Sequence, residues 1–192
     1  ARRPVPFLTF VLTFLLLLSG SASGSVPDPL APADTSSPRA ALTSFITHMN
    51  AGHHYLQQAR MISRGTPGFF AHPPEAGEKG DLARYHLERG MQILDLTEVP
   101  LVLREDVARE GALLLKEILD RIGLPPLETI PGGEERDNRS DRKINGWTIP
   151  RTELQLRRID SGEKEGKWLL TSASLARLEN DYHSIQHLPY LP

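Results

Sequence analysis

The side chains able to do chemistry are few, and their spacing suits it poorly. His48, His53 and His54 fall close together, and His183 and His187 sit four residues apart near the C-terminus. Two imidazoles at that spacing share a helix face and can share a metal ion. The zinc-protease arrangement needs a glutamate directly after the first histidine, however, and Ser184 stands there. No carboxylate cluster accompanies either group, so no metal site is expected. Adjacent carboxylates occur at Glu105-Asp106 and Glu134-Glu135. Sequence neighbours point apart on a helix, so neither pair is arranged for acid–base work. There is no G-x-S-x-G elbow, and Gly132-Gly133 lacks the Gly-Lys-Ser/Thr of a phosphate loop. The expectation is a non-enzymatic chain with no catalytic residue, no metal and no cofactor. Trp147, Trp168 and Tyr182 are the aromatic side chains that could stack on a bound ring.

Composition narrows the classes further. The 192 residues carry 22 Lys+Arg against 24 Asp+Glu, a net charge of −2. A nucleic-acid binder would show a clustered basic surplus, so no such partner is expected. The absence of cysteine excludes a disulfide framework and a thiolate site. Residues 1–25 have the three parts of a secretory signal peptide: Arg2-Arg3, the apolar run Val5–Leu18, and the small-residue stretch Ser19–Ser25. A membrane anchor is the rival reading, but spanning the ~30 Å hydrocarbon layer takes about 20 apolar residues. Cleavage near Ala22 or Gly24 removes two positive charges and leaves the mature chain at −4. Export without cysteines points to a periplasmic protein that folds without oxidative help.

Any site must be positioned by a small set of elements. Residues 26–37 are rich in Pro, Ser and Ala and read as a flexible linker. Ser37-Pro38 opens a helix whose apolar stripe is Leu42, Phe45, Ile46 and Met49. Asn50-Ala51-Gly52 predicts a break, with a second helix over 53–62. Residues 66–80, with three prolines and three glycines, predict a loop in which Phe69-Phe70 pack down. Helices follow from Asp81 to about Leu94 and from Glu105 to Ile122, the second ended by Gly123 and Pro125-Pro126. Residues 131–145 read as a charged, solvated loop. Thereafter the period changes to two, over 147–149, 154–156 and 167–171. Ser172 then caps a last helix carrying Leu175, Leu178, Tyr182 and Ile185. The fold class expected is α+β, mainly α. A helical domain at 38–186 carries an antiparallel β-hairpin at about 147–171, covered by the final helix. Residues 187–192 form a tail.

The most discriminating text is distributed along the chain. Asp34-Thr35-Ser36-Ser37-Pro38-Arg39 leads to Leu42, Phe45 and Met49-Asn50. Later come Trp147-Thr148-Ile149-Pro150, then Gly166-Lys167-Trp168-Leu169-Leu170-Thr171-Ser172, then His187-Leu188-Pro189-Tyr190. Over most of 34–190 this resembles the extracytoplasmic N-terminal region of large bacterial channels of the small-conductance mechanosensitive family. There, an opening helix with this text follows the signal peptide. A tryptophan-and-Ile-Pro strand, a hairpin and a short helix then end in Leu-Pro-Tyr before the first membrane span. The present residues contain no pore helix, so they form no pore alone.

The resemblance implies an accessory or assembly domain of a mechanosensitive ion channel, either as its N-terminal domain or as a subunit. It implies a periplasmic location, held at the membrane through a partner or through continuation of the chain. Channel subunits are the partners implied, and a homo-oligomer is compatible with them. Phe69, Phe70, Leu188, Tyr190 and Leu191 are the apolar residues expected to meet such a partner. The alternative is a free-standing periplasmic module binding a sugar, lipid or cell-wall fragment through Trp147, Trp168 and Tyr182.

Overall fold

A computed structural model describes residues 32–65, 73–132 and 145–191. The first helix, α1 (Pro38–Gly65), starts where Ser37 Oγ accepts from the Ala40 amide at 3.0 Å, with Pro38 in the first turn. Its buried face is Ala41, Leu42, Phe45, Met49 and Gly52. The break expected at 50–52 does not occur, because Gly52 continues that stripe. A Cβ there would lie 3.3 Å from the Ala83 carbonyl and 3.4 Å from His86 Cβ. The glycine permits close helix packing, which offsets its poor intrinsic propensity.

Helix α2 (Pro74–Met91) runs antiparallel to α1 and begins seven residues before the expected Asp81. The prolines read as loop sit at the N-cap and first helical positions, where no amide hydrogen is needed. The helix also stops short of Leu94: residues 92–93 form a turn, and Leu94 then bridges to Leu170 in parallel. Gly90 packs directly against Met49, whose Sδ would lie 2.8 Å from an added Cβ.

A 3-10 turn (Leu101–Leu103) leads into α3 (Arg104–Ile122), with Glu105 and Asp106 in its positive first turn. Its buried stripe includes Ala108, Ala112, Leu115, Ile118 and Ile122. Gly123, at φ +67°, closes the helix with its amide on the Leu119 carbonyl.

The period-two segments expected to form the antiparallel hairpin region at about 147–171 are three strands of one antiparallel sheet. β1 (Gly146–Thr148), β2 (Gln155–Arg158) and β3 (Trp168–Leu170) pair antiparallel in chain order. The turn over 150–153 folds β1 back onto β2, with the Ile149 amide on the Leu154 carbonyl at 2.8 Å. All three residues of β3 are buried. Its outer edge is covered by the Thr35 carbonyl, which accepts from Trp168, and by residues 93–95, with Leu170 N to Ile93 O at 2.7 Å. Within the expected linker, Thr35 is thus bonded to β3, while the Ala33 and Asp34 amides donate to the Gln92 and Ser44 side chains.

Helix α4 (Ser172–Ile185) is capped by Thr171 instead of Ser172, Thr171 Oγ1 accepting from the Ser174 amide at 3.1 Å. Leu175 and Leu178 enter the core, so the last helix closes over strands and α3 as expected of an α+β, mainly α fold. Arg39, one residue after the opening proline, binds the 127–131 strip through Nε to Ile130 O at 2.9 Å and Nη2 to Glu128 O at 3.1 Å.

Candidate functional site

The aromatic residues named for ligand stacking sit on three different elements, β1, β3 and α4. Trp168 is 2% exposed inside the core, so it meets no ligand without unpacking β3. Trp147 is half-buried on the outer strand β1, opposite Leu156. Tyr182 faces Arg121, whose guanidinium carbon lies 5.6 Å from the ring centre. Burial removes Trp168 from the stacking set, since alternation placed both tryptophans on strands and could not say how deep each strand lies.

The C-terminal segment is more informative. It leaves α4 through a turn, Leu188 N to Ile185 O at 2.8 Å, and lies back on α3, Leu191 N to Asp120 O at 2.8 Å. Tyr190 donates from its hydroxyl to Glu117 Oε2 at 2.9 Å, and its ring centre lies 4.1 Å from the Arg121 guanidinium. Arg121 is buried between Tyr182 and Tyr190 and ion-paired to Glu117. Its Nε has no hydrogen-bond partner among the described residues. Burial pushes the Glu117 carboxyl up, but hydrogen bonds from Arg121 and Tyr190 outweigh it and hold the group below the usual carboxylate range. Leu188, Tyr190 and Leu191 nonetheless remain exposed. The tail thus has an inner contact on α3 and an outer apolar face. Phe69 and Phe70 lie outside the described residues.

Beside the tail is a cleft of about 370 Å³ between the end of α3, the 151–153 turn and α4. Its floor is Ile118, Ile122 and Ile185, and its rim is charged. Arg177 pairs with Asp181 at 3.1 Å and with Glu153. Arg151 adopts φ +66°, a left-handed conformation rare outside glycine, and its guanidinium caps the Ile122 and Gly123 carbonyls. The two hydroxyls are spent locally, Ser184 Oγ on Asp181 O at 2.7 Å and Thr152 Oγ1 on Ile149 O at 2.8 Å. The lining holds no histidine, and the rim charges neutralise one another.

One surface escaped the sequence reading. Leu101 and Val102, on the 3-10 turn before α3, are 77% and 87% exposed, and Leu103 is 50% exposed. The turn is fixed by Leu103 N to Pro100 O at 2.9 Å and Arg104 Nε to Val99 O at 2.9 Å. The signal was present as three consecutive aliphatics directly before a charged helix start.

The histidines regroup as well. His48 meets His86 on α2, while His53 and His54 are exposed on α1. His183 bonds Gln186 at 3.2 Å and lies 3.8 Å from Glu179. Among the described residues, no three His, Asp or Glu side chains converge on a metal-sized site, and no helix is long and apolar enough to cross a membrane. No family model, curated protein or solved structure matches this chain.

Proposed function

We propose that this chain is a non-catalytic extracytoplasmic docking domain of a membrane complex, an N-terminal domain or subunit of a small-conductance-type mechanosensitive channel. The observation that carries the reading is the C-terminal segment. Leu188-Pro189-Tyr190, the text that precedes the membrane in the family it resembles, is anchored on the core helix α3 through Tyr190, Arg121 and Glu117. A load on this segment therefore reaches α3 directly rather than through a slack linker. Other residues of the resemblance also sit at joints of the fold. Ser37-Pro38 starts α1, Arg39 ties it to the 127–131 strip, and Thr171 caps α4. The exposed turn Leu101–Leu103 supplies a second apolar contact surface.

Patch-clamp recording from spheroplasts of the native host, with the gene intact and deleted, tests the reading. Loss of a stretch-activated conductance on deletion, restored by the gene, supports it. An unchanged set of stretch-activated conductances overturns it.

A further inference from the structure

His48 and His86 face each other across the α1–α2 interface with their Nδ1 atoms 2.9 Å apart. At that distance one imidazole donates and the other accepts, so the bond requires at least one unprotonated ring. The surroundings are aromatic and cationic. Tyr55 of α1 stacks on His86 at 5.4 Å between ring centres, and Tyr85 meets its edge at 5.2 Å. His54 approaches Tyr55 at 5.9 Å, and Lys79 Nζ lies 5.5 Å over the Tyr55 ring. Arg89 adds a further positive charge beside His48. Among the described residues, the charged groups shown at the cluster, Lys79 over Tyr55 and Arg89 acting on His48, are both cations.

Packing places this bond at the outer limit of the buried interface, about one turn inside Gly52, with the Tyr55–His86 stack and Lys79 over Tyr55 just beyond it. The buried face of α1 ends at Gly52, where the helices approach to contact distance. Beyond it, no described residue of α1 is buried, and the only buried residue of α2 is Gly90, at the opposite end. Leu56, Met61 and Leu82 of these distal arms are exposed. Little apolar burial therefore opposes their separation.

We propose that the His48–His86 pair is an acid-sensitive clamp on the α1–α2 hairpin. With both rings protonated the hydrogen bond is lost, two imidazolium ions face each other beside Arg89, and the arms beyond Gly52 part. Burial, then the neighbouring charges of His86 and Arg89, lowers the His48 value, and burial lowers that of His86. The clamp is therefore closed at neutral pH and opens below the ordinary imidazole value of about 6.5.

The chain has no cysteine, so Arg64→Cys and Glu75→Cys place two spin labels uniquely at the exposed ends of α1 and α2. Electron–electron resonance on the full chain at about pH 7.5 and about pH 4.5 brackets the imidazole range. The expected result is a shift to longer, broader distances in acid while helicity and tryptophan emission stay native. His48→Gln and His86→Gln, made separately, keep a hydrogen-bonding side chain without a second charge and abolish most of the shift. An unchanged distance in the parent chain, a shift undiminished in both variants, or global unfolding with the same midpoint each overturns the clamp.

Discussion

The guanidinium of Arg121 on α3 lies 4.1 Å from the ring centre of Tyr190 on the C-terminal segment. A cation taken almost wholly out of water is thereby faced by one carboxylate, Glu117, and two aromatic rings, Tyr182 and Tyr190. Desolvated charge of this kind tolerates its environment only while its partners stay in place. The contact makes an otherwise exposed tail part of the folded domain.

Tyr190→Phe keeps the ring over Arg121 and removes the hydroxyl that Glu117 accepts from. The expected loss is about 1 kcal/mol or less, the size of one partly exposed hydrogen bond. Tyr190→Ala removes both contacts and frees the segment. Hydrogen exchange at the Leu191 amide, which donates to Asp120, reads this directly. The rate should rise slightly in the Phe variant and strongly in the Ala variant. An unchanged rate in the latter shows that the segment is held by Leu191 alone.

The same contact carries a pH dependence. The Glu117 carboxyl is depressed in the folded chain, so the unfolded state binds the extra proton as pH falls. Its contribution is complete above the ordinary carboxylate value of about 4.3 and is lost as pH drops through the lower folded value. Leu191 exchange, corrected for intrinsic rate, should therefore accelerate only in that acid window. In Glu117→Gln the acceleration should disappear.

Helix existence and type were readable because apolar residues recur at helical spacing, as at Leu42, Phe45 and Met49 or Leu115, Ile118 and Ile122. Boundaries were not. Gly52 and Pro74 were read by local rules as breakers, but tertiary contact with α2 and first-turn tolerance of proline decided otherwise. The three strands were visible as period-two segments. That β3 is wholly buried, and that Thr35 and residues 93–95 close its edge, depends on contacts far apart in sequence. The exposed tail leucines and tyrosine were legible as apolar groups on an extended segment. Arg121 was not, since an arginine inside a charged helix gives no local sign that it is buried.

Glycines with the same intrinsic cost should respond oppositely to alanine. A Cβ at Gly80, in α2, meets nothing within 4 Å. Gly80→Ala should therefore stabilise by about 0.5–1 kcal/mol through helix propensity. At Gly52 the added carbon presses on the Ala83 backbone carbonyl at 3.3 Å, which cannot swing aside. Gly52→Ala should lose stability despite the same propensity gain. Denaturant midpoints measured side by side decide it, and a midpoint raised equally by both shows the helices have slack at Gly52.

Leu115 is fully buried at the centre of the α3 stripe. Leu115→Ala should cost about 2–5 kcal/mol, the spread reflecting how far the neighbouring leucines and isoleucines relax into the space. The urea midpoint measures it. A shift below the lower figure would mean that α4 collapses onto α3 and fills the gap.

The exposed turn separates stability from docking. Val102 is 87% exposed, so Val102→Asp removes almost no buried contact and should change stability by about 0.5 kcal/mol or less. Its neighbours Leu101 and Leu103 are also turned outward, on a backbone fixed by the Arg104 and Pro100 hydrogen bonds. A rigid apolar projection binds without first losing backbone freedom, which favours its use as a contact. If it meets the membrane complex, a charge at its tip must be desolvated in the interface, and binding should weaken while folding does not. Sedimentation of the purified chain with native envelope membranes, run alongside the denaturant midpoint, reads both quantities. Equal sedimentation of parent and Val102→Asp moves the contact to Leu188, Tyr190 and Leu191. In that case truncation after Gln186 should abolish it.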